Sequence, residues 1–161
     1  MKGRFSHGSW LLPALLATAP AGPAGAEGFA PFEGRWRGEG QLSLDGEPPQ
    51  RLRCQLRLQS ARAGGAVFSG RCATAQAAQS FVYLVQEQPD GRILARNTTD
   101  PPDALPREMP GTLDGEKLGF EAEGRALFEF RRVGEGMQFR IEAETDSGFA
   151  AGTATLGLAG D

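Results

Sequence analysis

The side chains best suited to covalent chemistry in this sequence are its two cysteines, Cys54 and Cys72. They lie in two alternating apolar and polar runs joined by a turn at residues 62–65. A hairpin centred near Ala63 places the two cysteines directly opposite each other. An oxidising compartment would favour their pairing. We therefore predict a cross-strand disulfide that closes a loop of about 19 residues and contributes about 3 kcal/mol. A redox or metal thiol pair would need a Cys-x-x-Cys motif or a histidine partner, and the sequence offers neither near them.

Other catalytic residue types are scarce. The single histidine, His7, lies in an N-terminal segment that we predict is removed. The remaining chain then has no imidazole for a Ser-His-Asp or Cys-His site, nor for most zinc sites. Lys117 is the only lysine after that segment, and the carboxylates of the later strands alternate as a solvated outer face would. We predict a protein that is not an enzyme and has no catalytic residue, no metal site and no cofactor.

The N-terminal segment has the features of a secretion signal. Lys2 and Arg4 precede an apolar run, residues 10–17, that is too short to span a bilayer. Ala24-Gly25-Ala26 then offers the small-x-small pattern of a cleavage site. We predict a signal peptide at residues 1–26 and a single domain at residues 27–161. We expect the protein to be secreted, and its location would be the periplasm if the source is a Gram-negative bacterium. No later run of apolar residues is long enough for a membrane-spanning helix.

Charge argues against a nucleic-acid partner. Residues 27–161 carry a net charge of −5, with +2 on residues 27–98 and −7 on residues 99–161. A nucleic-acid-binding domain is typically basic. We therefore expect no nucleic acid among the partners of this protein.

A hydrophobic period of two predicts an all-β protein. Between Phe32 and Leu44, even positions are apolar or glycine and odd positions are polar. Similar runs follow at short intervals, and a turn at residues 133–136 sets Phe130 opposite Phe139. Consecutive hairpins with one apolar face predict an antiparallel up-and-down (meander) barrel of about 8–10 strands, because closure removes exposed edges. A two-sheet sandwich is the structural alternative. The stretch from Thr99 to Gly111 contains four prolines, which argue against a strand there. It is either a flap over one mouth of the barrel or a stiff connection.

Glycines on the inward face define a candidate ligand site. Gly34, Gly38, Gly40 and Gly70 lack the side chains that would fill a barrel. They leave room for a small ligand, or they permit strand bending and close packing. The tentative ligand-binding set is Gly34, Trp36, Gly38, Gly40, Gly70 and Tyr83.

The run from Phe32 to Gly40, with its Gly-x-Trp-x-Gly-x-Gly pattern, resembles the opening strand of nitrobindin-like barrels. More loosely, it is similar to the Gly-x-Trp strand of lipocalins. The resemblance implies a calycin-type barrel for a small apolar ligand, with Trp36 near its closed end. In lipocalins an arginine from a late strand covers this tryptophan, and three arginines are candidates here: Arg131, Arg132 and Arg140. Nitrobindins hold haem through a histidine near the C-terminus, so histidine-ligated haem is ruled out for residues 27–161.

Two functions are therefore predicted. The first is non-catalytic binding of a small hydrophobic ligand inside an exported barrel. The alternative is a periplasmic protein-interaction barrel with a filled core, similar to inhibitors of secreted metalloproteases, which share a Gly-x-Trp strand and one disulfide. In that case residues 27–31 would be a free segment able to contact a protein partner.

Overall fold

The computed structural model describes residues 28–145 and 148–160, so the predicted signal peptide lies outside the described residues. Ten antiparallel strands form a closed barrel in which each strand pairs with the next and β10 returns to β1. The prediction of an all-β meander barrel with one disulfide is confirmed. The strands are β1 (Gly34–Leu44), β2 (Gln50–Ser60), β3 (Gly65–Ala73), β4 (Ala78–Glu87), β5 (Ile93–Asn97), β6 (Glu108–Asp114), β7 (Lys117–Ala122), β8 (Ala126–Val133), β9 (Gly136–Thr145) and β10 (Gly148–Leu158).

The predicted hairpin registers are also confirmed. Cys54 pairs with Cys72 across β2 and β3, and the two residues form the disulfide with 4.2 Å between their Cα atoms. Phe130 pairs with Phe139 across β8 and β9, whose turn has Gly134 in the left-handed region. These registers follow from the period of two, since a slip by one residue would turn the apolar side chains outward.

Strand β6 differs from the prediction, because it lies partly in the stretch where prolines argued against a strand. Pro110 pairs with Leu94 on β5, but the β6–β7 ladder begins only at Gly111. A proline is tolerated where one neighbouring strand has no paired residue. The alternation of Met109, Gly111 and Leu113 toward the interior thus outweighs the proline.

Aromatic side chains fill the middle of the barrel. Phe68 contacts four other phenylalanine rings at centroid separations from 4.7 to 5.9 Å. Most of these contacts are tilted or edge-on, as aromatic pairs prefer. The fully buried rings at this level are Phe68, Phe81, Tyr83, Phe120, Phe128, Phe130 and Phe139.

The two ends of the barrel differ. At one end, which we call the closed end, a short 3₁₀ helix at Ala30–Phe32 precedes β1. Phe29 and Phe32 are both buried in the core there, so the segment from residue 28 onward is not the free one expected for partner contact. The other end, which we call the open end, carries the β1–β2, β3–β4, β7–β8 and β9–β10 connections and the long β5–β6 loop.

Within residues 28–145 and 148–160, no helix is long and apolar enough to cross a membrane. The same residues contain no group of three or more side chains arranged to hold a metal ion.

Candidate functional site

A mainly apolar cleft lies at the open end of the barrel. Its volume is about 510 Å³. Leu42 and Leu52 line it from β1 and β2, and Ile141 and Ala150 line it from β9 and β10. We call it the mouth cleft. Its remaining lining residues are Leu44, Gln50, Cys72, Ala73, Thr74, Gln76, Ala77, Ala78, Gln79, Ala104, Leu105, Ala143, Glu144 and Thr145.

The β5–β6 loop forms one wall of this cleft. Ala104 and Leu105 line the cleft, and Leu105 also packs against the core. The loop is tied to the end of β5 through Asn97, whose side-chain amide donates a 2.7 Å hydrogen bond to Asp103. The other oxygen of Asp103 is buried and has no hydrogen-bond partner among the described residues. The loop is therefore fixed by hydrogen bonds and apolar packing where it borders the mouth cleft.

Tyr83 supports the same loop from inside the barrel. Its side chain is fully buried, and its hydroxyl donates a 3.2 Å hydrogen bond to the carbonyl oxygen of Pro106. Burial raises the pKa of the Tyr83 phenol well above its usual range, and the nearby charge of Asp103 adds to the rise. Tyr83 is therefore a neutral donor at ordinary pH, and it does not line the mouth cleft.

Polar groups of the cleft are concentrated at its rim. The Gln50 amide nitrogen donates hydrogen bonds to Gln76 at 3.0 Å and to Glu47 at 3.1 Å. Glu144 is the one charged residue among those that line the cleft, and no arginine or lysine lines it. A mainly apolar wall with amides and hydroxyls at the edge can bind and orient a ligand.

The inward glycines predicted as ligand contacts lie elsewhere. A Cβ atom on Gly38 would stand 1.9 Å from the carbonyl oxygen of Thr155, and one on Gly40 would stand 1.7 Å from that of Thr153. At Gly70 the same atom would meet Leu56 and Phe81. The backbone of β10 and neighbouring side chains thus occupy the space beside these three glycines. Gly34, with φ of +124°, lies at the closed end against Leu158.

Trp36 closes that end of the barrel. Its indole nitrogen donates a 2.8 Å hydrogen bond to the carbonyl oxygen of Phe32. The guanidinium carbon of Arg132 lies 4.7 Å from the centre of the indole, within cation–π range. Of the three candidate arginines, the structure thus selects Arg132. Only about 10 Å³ of cavity remains beside Trp36, which is room for about one water molecule.

The ligand set predicted from the sequence shares no residue with the mouth cleft and stays a prediction. Sequence reasoning did not identify Leu42, Leu52, Leu105, Ile141 and Ala150 as one group. The period of two shows that the strand residues among them face inward. It does not show their height along the barrel, which depends on how the strands are staggered. The alternation of side chains along β8 could have identified Arg132, because residues 128, 130 and 132 point to the same side of the strand and Phe128 and Phe130 face the interior.

These features define an up-and-down β-barrel closed at one end by a tryptophan and an arginine. The chain is similar to a protein of unknown function from the DUF3598 family of Nostoc punctiforme, with 15% identity and a TM-score of 0.53. The similarity covers 81% of this chain and 49% of that one, so the chain spans about half the length of that relative. Rv2717c from M. tuberculosis has 11% identity and a TM-score of 0.51, over 86% of this chain and 99% of that one.

A third similar structure is the zebrafish ileal bile acid-binding protein in complex with cholic acid. It has 12% identity and a TM-score of 0.41, over 80% of this chain and 99% of that one. At such identities the similarity concerns the fold alone. No protein-family model matches the chain, and no curated protein matches it in sequence.

Proposed function

We propose that this protein binds a small apolar molecule in the mouth cleft, without catalysis. The observation that carries the proposal is the cleft itself, about 510 Å³ in volume and walled mainly by aliphatic side chains. That volume lies within the range of pockets that hold small ligands. The Arg132 contact with Trp36 supports the lipocalin-like and nitrobindin-like resemblance of β1, which points to the same class of function.

The lining also restricts the ligand. Glu144 contributes negative charge and no lining residue contributes positive charge, so a carboxylate or phosphate would be repelled at this rim. Gln50, Gln76 and Thr74 offer hydrogen bonds to a neutral polar group. The expected ligand has an apolar body and a neutral hydroxyl, carbonyl or amide end.

The filled aromatic middle of the barrel favours a second candidate. A ligand cannot descend past Phe68 and Phe81, whose ring centroids are 5.1 Å apart, without repacking them. If the mouth cleft binds nothing, the protein is better described as an interaction barrel with a filled core, similar to periplasmic protease inhibitors.

Titration with the neutral fluorophore N-phenyl-1-naphthylamine tests the proposal. The original protein should enhance the probe's emission saturably, and Ala104→Trp should weaken binding about tenfold or more by filling the cleft, a loss of about 1.4 kcal/mol. Ala104 is exposed, so the larger side chain should leave the fold intact. The matched control is Ala30→Trp, at an exposed alanine of the closed end, which should bind as the original protein does. Equal binding by both variants would place the probe outside the mouth cleft and contradict the proposal. No saturable binding at all would favour the interaction barrel.

We further propose that the protein is exported after removal of residues 1–26, as the sequence predicts. The Cys54–Cys72 disulfide supports this, since such bonds persist in oxidising compartments. A periplasmic fraction that contains protein beginning at Glu27, determined by mass spectrometry, would bear the proposal out. Uncleaved protein in the cytoplasm would contradict it.

A further inference from the structure

The outer face of β1, β2 and β3 is strongly basic although the whole chain is acidic. It carries six arginines and one carboxylate, Glu39. Glu39 forms ion pairs with Arg51 and Arg53. The other arginines of this face are Arg35, Arg37, Arg57 and Arg71, and no ion pair to a described residue involves them. We call these four the arginine face.

Two members of the arginine face are directly opposed. Arg35 pairs with Arg57 across β1 and β2. The carbonyl oxygen of Arg35 accepts a 2.8 Å hydrogen bond from Ala159, so its backbone bonds toward β10. The Arg35–Arg57 pair is therefore a non-hydrogen-bonded one, in which side chains of an antiparallel sheet lie closest. Like charges directly opposite each other destabilise a sheet. An anion placed between them would remove that cost.

A surface depression contains this pair and an exposed apolar side chain. Its volume is about 560 Å³, and Arg35, Arg57 and Leu158 are among the residues that line it. Glu33 also lines it, and its carboxylate accepts a hydrogen bond from the Ser60 hydroxyl. Leu158, at the end of β10, is 61% exposed. Charge and apolar surface side by side match the chemistry of an anionic amphiphile at a lipid surface better than that of a free phosphate ion.

The spacing of the four arginines determines how many anionic groups they can contact. Arg35 and Arg57 form one row across β1 and β2, and Arg37 and Arg71 lie in the next row, two residues along the strands. The two rows are about 7 Å apart, and three neighbouring strands are about 10 Å wide from first to last. The four arginines therefore lie close enough together to contact about one or two phosphate groups. Strands β4–β10 carry seven carboxylates and five basic residues. The molecule therefore has one basic side, formed by β1–β3, that an anionic surface would orient toward itself.

We propose that the arginine face, together with Leu158, docks the barrel on a membrane surface rich in anionic phospholipid. This inference does not depend on the mouth cleft, which lies at the other end of β1 and β2. Each arginine near an anionic bilayer contributes about fivefold in affinity. Removing two should therefore weaken docking by about thirtyfold.

Vesicle co-sedimentation at low salt tests the proposal with residues 28–160, which contain all ten strands and their core. The barrel should bind vesicles that contain phosphatidylglycerol and not vesicles of phosphatidylcholine alone. The variant Arg35→Gln/Arg57→Gln should lose about thirtyfold in affinity. Leu158→Gln should weaken binding separately. The matched control is Arg92→Gln/Arg96→Gln, which removes the same charge from arginines already paired with Asp90 and Glu108, and it should bind as the original barrel does.

Three results would overturn the proposal. The first is equal binding by the original barrel and the Arg35/Arg57 variant, or no binding to anionic vesicles. The second is loss of vesicle binding in millimolar inorganic phosphate at constant ionic strength, which would identify a site for a free anion. The third is self-association that the same variant abolishes, measured by sedimentation, which would identify a second copy of the chain as the partner. Circular dichroism establishes that each variant is folded, which is expected because both arginines are exposed.

Discussion

Tyr83 shows how one buried hydroxyl can connect the core to the wall of the mouth cleft. Its ring packs against Phe120 and Phe128, while its hydroxyl reaches the loop backbone at Pro106. The phenol must stay neutral, because a phenolate would be buried close to the negative charge of Asp103. The stability of the barrel is thereby linked to the protonation of one side chain.

Tyr83→Phe should therefore change how stability depends on pH. In the folded protein the Tyr83 pKa lies above its unfolded value of about 10. The stabilisation is fully present below pH 10 and is lost as the pH rises above it, because only the unfolded chain releases the proton. The variant should lose about 1 kcal/mol at neutral pH from the missing hydrogen bond, and its stability should fall less steeply above about pH 10. Urea unfolding at pH 7 to about 11 measures both effects, and equal alkaline slopes for the two proteins would contradict the assignment.

Two glycines of β1 leave no room for a side chain where β1 pairs with β10 and closes the barrel. Gly38 pairs with Leu156 and Gly40 pairs with Ala154. The added Cβ at either glycine would overlap the β10 backbone, which cannot move aside as a flexible side chain would. These glycines are thus required for contact between the two strands. Of the two roles considered from the sequence, room for a ligand or close packing, the structure favours close packing for Gly38 and Gly40.

Gly38→Ala should destabilise the barrel by on the order of 3 kcal/mol or more, because the methyl group forces the strands apart. The matched control is Gly157→Ala, on β10, where an added Cβ would have no neighbour within 4 Å. That variant should stay within about 0.5 kcal/mol of the original protein. Urea unfolding followed by circular dichroism measures the difference. Similar midpoints for both variants would mean that the β1–β10 contact is looser than the structure shows.

Features that depend on neighbouring residues could be predicted from the sequence. The Cys54–Cys72 register required only one hairpin turn and the alternation of two runs. The mouth cleft could not be predicted in this way, since Leu42, Leu105 and Ile141 come from three distant parts of the chain. Strand β6 was missed for a different reason, because Pro110 is acceptable only where the β6–β7 ladder has not yet begun.

At the scale of the whole molecule, the two ends of the barrel have separate roles. Trp36, Phe32 and Arg132 fill the closed end, whereas the open end retains the mouth cleft. The cleft and the small cavity beside Trp36 share no lining residue. Binding at the mouth should therefore leave the indole environment unchanged.

Fluorescence quenching tests this separation of the two ends. In a Trp10→Phe protein Trp36 is the only tryptophan. A brominated neutral amphiphile that binds in the cleft should leave its emission unquenched, because bromine quenches only on near contact. When Gln76→Trp is added to the Trp10→Phe protein, the new tryptophan at the rim of the cleft should emit, and the brominated compound should quench that emission. Strong quenching of Trp36 itself would place the ligand deep in the barrel, beside the glycines predicted from the sequence.

The pairing of β1 with β10 also bears on how the barrel folds. The other strand pairs join neighbours in the sequence, whereas Trp36 and Leu158 are separated by about 120 residues. The entropy lost on closing so long a loop makes this pair the last to form, after the local hairpins have assembled. Because residues 34 and 158 lie at the same end of neighbouring strands, a linker that retains Phe29 and Phe32 could join them. The chain could then be opened instead at an exposed turn such as Gly134. Such a circular permutant would convert the slowest contact of the barrel into one more local hairpin.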